Sequence, residues 1–324
     1  KSALGCDQEQ VQILPFSPNE LDVYLDLVRE PDSLNNSIGA TGLFEQRIDE
    51  GLFRESYTEL VKQFPLMKAQ VITSELPYVD VAYFKIESNR TLEPIIRDFS
   101  SREWSDSDIA KLIRETIYHP YDIADGELYK FHLFRLDGER TLMVISVCHL
   151  VADGAAMCNS FQDLFKIMQA IDDGVVPAEF NDNLQEYVHS SRQTFDSSDI
   201  IQFWQEQSAD IEALQFSMPQ QQLVSDTSGL EKNELDCAER IEENIVLDKE
   251  VFQAIKYYCA ENSVHPATYF KTLYTLLLHY YCRPQSHFYF NEVVGGRSRQ
   301  FLRTFGCLFQ SLPTIIPQEL MASD

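Results

Sequence analysis

Apolar positions along this chain switch between the period of a strand and the period of a helix. The two kinds of element therefore interleave, and an α/β or α+β fold is expected. Ser17-Pro18-Asn19-Glu20 carries three helix-start signals: a capping serine, a proline at the first helical position and a glutamate placed to close a capping box. That helix should run to about Arg29, before Pro31. Residues 38–44 read as a strand. Leu52, Tyr57, Leu60, Val61 and Phe64 recur at helical spacing up to Pro65. Strands are expected near 68–73 and 79–86, and a helix from 105 to 118. Two apolar runs, 128–136 and 141–148, are separated by Asp137-Gly138-Glu139-Arg140, and Asp-Gly between such runs signals a hairpin. The second run is apolar at nearly every position, which predicts a central strand covered on both faces. It ends at His149. After Asp153-Gly154 a helix runs to about Ile171, with Phe161, Leu164, Phe165 and Met168 on one face.

Residues 172–199 and 215–240 are polar and carry Gly, Pro, Gln and Ser, so they read as linkers or surface loops around a helix at 199–213. A second block opens with a strand over 241–247. It continues with a helix that Asp248 can cap, a helix from Pro266 through His279, and a strand at 287–293 that leads into Gly295-Gly296-Arg297. The division expected is an N-terminal lobe over 1–175, a linker with a connecting helix over 176–240, and a C-terminal lobe over 241–324.

Composition narrows the function. The net charge is −25, from 51 acidic and 26 basic residues. Such a chain is repelled by nucleic acid and by anionic membranes, and no basic run of five or more offsets it. The 21 Phe and 15 Tyr can fill a sizeable core. Seven cysteines, at 6, 148, 158, 237, 259, 282 and 307, form no CxxC pair, which argues against a disulfide framework or a zinc site; reduced thiols in the cytoplasm are expected. The first residues lack the apolar run of a signal peptide, and the longest apolar stretch, 273–281, is too short to span a bilayer.

Chemistry concentrates at Cys148-His149-Leu150-Val151-Ala152-Asp153-Gly154. An imidazole, with an ordinary pKa of about 6.5, can take a proton near neutrality, and a strand end can hold it at a cleft. Gly154 is expected to let the backbone turn sharply. The H-x-x-x-D-G pattern alone is a weak signal, since a hydrogen-bonded strand-end histidine and a helix-capping aspartate produce it too.

The flanking sequence is more specific. His119-Pro-Tyr-Asp-Ile-Ala-Asp-Gly-Glu-Leu-Tyr-Lys-Phe-His-Leu-Phe-Arg precedes the strand, and Phe161-Gln-Asp-Leu-Phe follows the motif. Phe203-Trp204-Gln205-Glu206, Pro266-Ala-Thr-Tyr-Phe-Lys-Thr-Leu, Asn291-Glu-Val-Val-Gly-Gly-Arg and Phe305-Gly-Cys-Leu-Phe-Gln-Ser-Leu-Pro follow in order. Together these segments resemble the condensation domains of nonribosomal peptide synthetases, over nearly the whole chain. The resemblance implies a two-lobed fold of the chloramphenicol acetyltransferase type, a V around a tunnel. Family domains are longer, so a C-terminal lobe without its last strands is expected.

The resemblance also implies acyl transfer. Acyl or aminoacyl thioesters on the phosphopantetheine of carrier proteins would meet an amine, or less often a hydroxyl, at His149, with no cofactor or metal bound by the chain itself. It makes Asp153 and Arg297 a structural pair joining the lobes, and places the backbone of Gly154 at the tunnel. Cys148 stands where the family has its first histidine, a position that supports the loop; a nucleophilic Cys148 is the rival reading. A coenzyme A-dependent O- or N-acyltransferase of the same superfamily is the first alternative, since a single histidine in the motif is common there, although the plant-type D-F-G-W-G segment is absent from these residues. A non-catalytic module that docks carrier proteins is the second. His119 and His132 read as surface or packing residues. Arg299 and Arg303 read as a solvated loop or, less readily, as contacts for a pantetheine phosphate.

Overall fold

The computed structural model describes residues 11–73, 82–123, 127–208, 211–212, 214, 246–284 and 286–320. In chain order the elements are β1 (Val11–Pro15), α1 (Pro18–Arg29), β2 (Ser37–Phe44), α2 (Glu50–Gln63), β3 (Gln70–Thr73), β4 (Ala82–Glu87), β5 (Ile95–Asp98), α3 (Asp106–Ile117), β6 (Tyr129–Arg135), β7 (Thr141–Cys148), α4 (Gly154–Asp172), α5 (Leu184–Phe195), α6 (Ser198–Gln207), β8 (Ile211–Glu212), α7 (Lys249–Glu261), α8 (Pro266–Cys282), β9 (His287–Val294) and β10 (Gln310–Ile316). This is an α/β fold with mixed sheets.

The apolar run at 141–148 becomes the strand that organises the first unit. The order of its sheet is β2-β7-β6-β5, and all eight residues of β7 are buried. β2 and β6 flank β7 antiparallel, pairing Ser37 with Cys148 and Tyr129 with Val147. Met143, Ile145 and Val147 join the core that α2 and α4 share, while Leu142 and Val144 meet Trp104, Ile109 and Ile117 on the α3 side. Each fully buried aliphatic side chain of this kind contributes about 1.5–3 kcal/mol, so coverage on both faces fixes β7 firmly. Gly138 takes a φ of 62° in the β6–β7 hairpin, the left-handed conformation that the Asp-Gly pair suits. A second sheet, β1-β4-β3, is antiparallel throughout.

Both capping boxes form as the side-chain chemistry dictates: Ser17 with Glu20 starts α1, and Ser105 with Asp108 starts α3. Three expectations are corrected. Residues 184–195, read as part of a polar connection, form α5; Leu184, Tyr187 and Val188 give it a narrow buried stripe at helical spacing. The helix expected at 199–213 ends at Gln207, and Ile211–Glu212 are strand residues. β1 and β5 are short strands that no clear alternation marks. The strands expected at 79–86 and 241–247 lie partly outside the described residues, at 79–81 and 241–245; Val246 and Leu247 are irregular.

The chain divides into two compact units, residues 1–203 with 293–312 and residues 204–292 with 313–324. The boundaries differ from those expected at 175 and 241, because the stretch 293–312 is part of the first unit. The second unit holds α7, α8 and most of the sheet β10-β9-β8, with β8 parallel to β9. There Lys271 pairs with Glu292 at 2.6 Å and Thr314 donates to the same carboxylate at 3.0 Å.

Candidate active site

β7 delivers His149. The strand is buried through Cys148, and Leu150, Val151 and Ala152 are fully buried after it, so the half-buried imidazole is the one side chain from Thr141 to Asp153 that reaches a partly open position. The backbone at this point is fixed: His149 N–H donates to Asn36 O at 2.7 Å and Val151 N–H to Cys148 O at 3.1 Å. Burial pushes the His149 imidazole below its ordinary pKa. Hydrogen bonds with the backbone of His149 and Ala152, and the charge of Asp153, act in the opposite sense. The shift favours the neutral ring, the form that can accept a proton.

Asp153 faces away from this chemistry. Its Oδ1 accepts from Ala156 N–H at 2.8 Å, which caps α4, and from Arg297 Nη2 at 2.7 Å. Its Oδ2 accepts from Leu308 N–H at 3.0 Å. Both side chains of the Asp153–Arg297 pair are only 6% exposed. Arg297 also donates to the carbonyls of Phe301, Thr304 and Gly306, at 3.2, 2.5 and 3.2 Å, and so folds its own loop around itself. The pair lies within the first unit, which corrects the expectation of a bridge between lobes: residues 293–312 belong with 1–203. Gly296, just before it, takes a φ of 59°, and a Cβ there would collide with the Leu308 carbonyl, so this position needs glycine.

Gly154 plays a different part from the one expected. It is the first residue of α4 and makes no positive-φ turn; a Cβ there would meet nothing within 4 Å. The residue leaves open space beside the start of α4. Cys148 sits in a dry setting, and burial pushes its thiol up to about 12. A thiol so protonated is a poor nucleophile.

His132 is buried in β6, with Nε2 2.9 Å from Ser146 Oγ, and the His119 ring packs on Tyr121. Arg303 is partly exposed but not free: it pairs with the fully buried Asp163 and donates to Asn159 Oδ1 at 3.0 Å. Arg299 is exposed at the start of a short 3-10 helix.

The sequence pattern did not point to three neighbours of the site. Cys307 Sγ lies 3.8 Å from His149 Nδ1, and the Phe309 ring lies 4.6 Å from the imidazole between centroids. Asp182 accepts from Phe305 N–H at 3.3 Å; burial pushes its carboxyl up to about 6, against the pull of its backbone hydrogen bonds and of Arg297. A cavity of about 580 Å³ between β1 and α5, lined by Leu14, Val188, His189 and Arg192, includes none of these residues. Among the described residues no group of three or more His, Cys, Asp or Glu could hold a metal ion, and no helix is long and apolar enough to cross a membrane.

The family profile described as Condensation domain matches residues 30–319. The chain belongs to the condensation-domain family. Over 301 residues this condensation domain is 22% identical to polyketide synthase PksN of Bacillus subtilis (strain 168); the match takes in 90% of the chain and 5% of that much longer protein. Its fold matches the first condensation domain of the CDA synthetase with a TM-score of 0.70 at 15% identity, covering 94% of this chain and 71% of that one. It also matches a starter condensation domain of rhizomide synthetase RzmA in complex with C8-CoA, with a TM-score of 0.66 at 15% identity, covering 94% and 67%. The chloramphenicol acetyltransferase-like fold class is thus established.

Proposed function

We propose that this condensation domain is an acyltransferase that joins an acyl or aminoacyl thioester, carried on the phosphopantetheine of a carrier protein, to an amine in nonribosomal peptide biosynthesis. The observation that carries the reading is the half-buried His149 imidazole at the end of a strand buried at every position. The acceptor nitrogen attacks the thioester carbonyl. The C–N bond forms, the C–S bond breaks, and the pantetheine thiol leaves. His149 orients the amine and takes its proton, which passes on to the departing sulfur. Asp153 and Arg297 hold the loop, Gly154 leaves room beside it, and Cys148 supports it without touching substrate. Carrier proteins are the partners, in the cytoplasm, where the five free cysteines among the described residues stay reduced.

A coenzyme A thioester as donor is the second reading; the single histidine of the motif favours it, and a structural relative is a complex with C8-CoA. A pure docking module is disfavoured by the retained histidine. Intact-mass analysis of a loaded carrier protein, with candidate amines and in parallel with acyl-coenzyme A, separates the three. We expect transfer from the carrier and a loss of roughly 10²-fold or more in His149→Ala with the fold intact. Transfer at the normal rate by His149→Ala would place the chemistry elsewhere.

A further inference from the structure

We infer that Cys307 and Phe309 are positioning residues: they form a seat for the His149 imidazole, with the Cys307 sulfur facing Nδ1, so that Nε2 keeps the lone pair and accepts the proton. This deepens the acyl-transfer reading and rests on it.

The seat is built from a segment, residues 305–309, held at five of its backbone groups. Phe305 N–H donates to Asp182, Leu308 N–H donates to Asp153, and the Gly306 carbonyl accepts from Arg297 and from Asp153 N–H, the last at 3.2 Å. Tyr187 Oη–H donates to Leu308 O at 3.4 Å, and Asn19 Nδ2 donates to Phe309 O. A segment so held can set a side chain to within the few tenths of an ångström that proton transfer needs. From it, Cys307 meets the edge of the imidazole at 3.8 Å and Phe309 meets its face, tilted by 49°.

The chemistry of the sulfur suits the task. Cys307 is fully buried, and burial holds its thiol well above the ordinary cysteine range, so it stays protonated and brings no charge beside the ring. A neutral imidazole has one N–H, and the partner of one nitrogen decides which nitrogen carries it. A thiol is both a weak donor and a weak acceptor, and here it takes the acceptor's part because the backbone groups of His149 and Ala152 already draw on ring N–H. It can receive Nδ1–H beside the backbone groups of His149 and Ala152 that already bond the ring, without binding the proton so tightly that the tautomer can no longer respond to substrate.

The test reads the tautomer directly and needs no substrate. Protein labelled with ¹⁵N-histidine is examined by long-range ¹H–¹⁵N correlation, with the His149 signals assigned by their loss in His149→Gln. We expect wild-type His149 to carry its proton on Nδ1, and Cys307→Ala to show a mixture of both tautomers. In the transfer assay Cys307→Ala should lower kcat about tenfold with KM changed less than about twofold, since positioning acts on the reacting geometry rather than on substrate affinity. Cys307→Ser, which restores an acceptor, should recover most of both readouts, and Phe309→Leu should lower kcat in the same sense. An Nε2–H tautomer in the wild type, or an unchanged tautomer and kcat in Cys307→Ala, would overturn the seat. Absence of any transfer by the wild type, from carrier or coenzyme A, would instead overturn the acyl-transfer reading beneath it, whatever the tautomer shows.

Discussion

Removing Asp153 should damage the first unit more than any other single truncation at the site. The Asp153 carboxylate accepts three hydrogen bonds, from Ala156, Leu308 and Arg297, and is 6% exposed. In Asp153→Ala, α4 loses its cap, worth about 1 kcal/mol. Arg297 keeps its three carbonyl acceptors but loses its counter-charge in a dry setting, and stripping one partner from a buried pair costs about 3–5 kcal/mol. The sum is on the order of 4–6 kcal/mol, which for a domain of this size lowers the melting temperature by roughly 10–20 °C. Arg297→Met should cost less: the remaining carboxylate keeps two N–H donors and the favourable field of the α4 N-terminus. The assay is urea denaturation of the four members of a double-mutant cycle, with amide exchange at Ala156 and Leu308 as the local readout. The double variant should be more stable than the two single losses predict, by about 1–3 kcal/mol. Strict additivity, or a loss below about 1 kcal/mol in Asp153→Ala, would show that the pair is not the lock its geometry describes.

Two further outcomes follow from the buried titrating groups. Cys148→Ser should keep most activity, and iodoacetamide should modify wild-type Cys148 far more slowly than the exposed Cys158; rapid alkylation, or an acyl-Cys148 adduct that forms and decays at the rate of turnover, would refute the supporting role. Glu20 is fully buried, and burial pushes its carboxyl up to about 7 against the hydrogen bonds from Ser17. The folded state therefore binds a proton that the unfolded state releases near 4.5, so this contribution is complete below pH 4.5, falls as the pH rises to 7, and is gone above it. Its size is on the order of 3 kcal/mol. Glu20→Gln, which keeps a capping-box acceptor, should flatten that fall in urea denaturation between pH 5 and 8; an unchanged slope would refute it.

What could be read in the sequence and what could not divide along a physical line. Strand β7, its hairpin and the Ser17–Glu20 capping box depend on neighbours in sequence, and local chemistry set them out correctly. His149, Asp153 and Gly154 stand together in one motif, and Arg297 was tied to them by family resemblance alone. Cys307 and Phe309 meet His149 across more than 150 residues of chain, and no periodicity encodes that meeting. Arg303 and Asp163 are 140 residues apart, so an arginine in a polar loop gave no hint of its buried partner. Helix α5 was missed because polar residues outnumber its stripe; Leu184, Tyr187 and Val188 were the signal, at spacings of three and one. The unit boundaries were misplaced because a composition shift marks where the chain becomes polar, not where a later segment returns to an earlier core.

That return has a consequence for synthesis on the ribosome. Asp153 is translated 144 residues before Arg297, and at 5–20 residues per second it waits roughly 7–30 s for its partner. Through that interval the core around β7 lacks Phe305, Cys307 and Leu308, which are fully or almost fully buried in the finished unit. A nascent chain can assemble its central sheet, but it cannot close the loop behind His149 until residues 293–312 have emerged. The proposed chemistry at His149 thus waits for residues 293–312, and until they emerge the chain exposes the apolar core that Phe305, Cys307 and Leu308 later cover, a surface that a chaperone would be expected to shield.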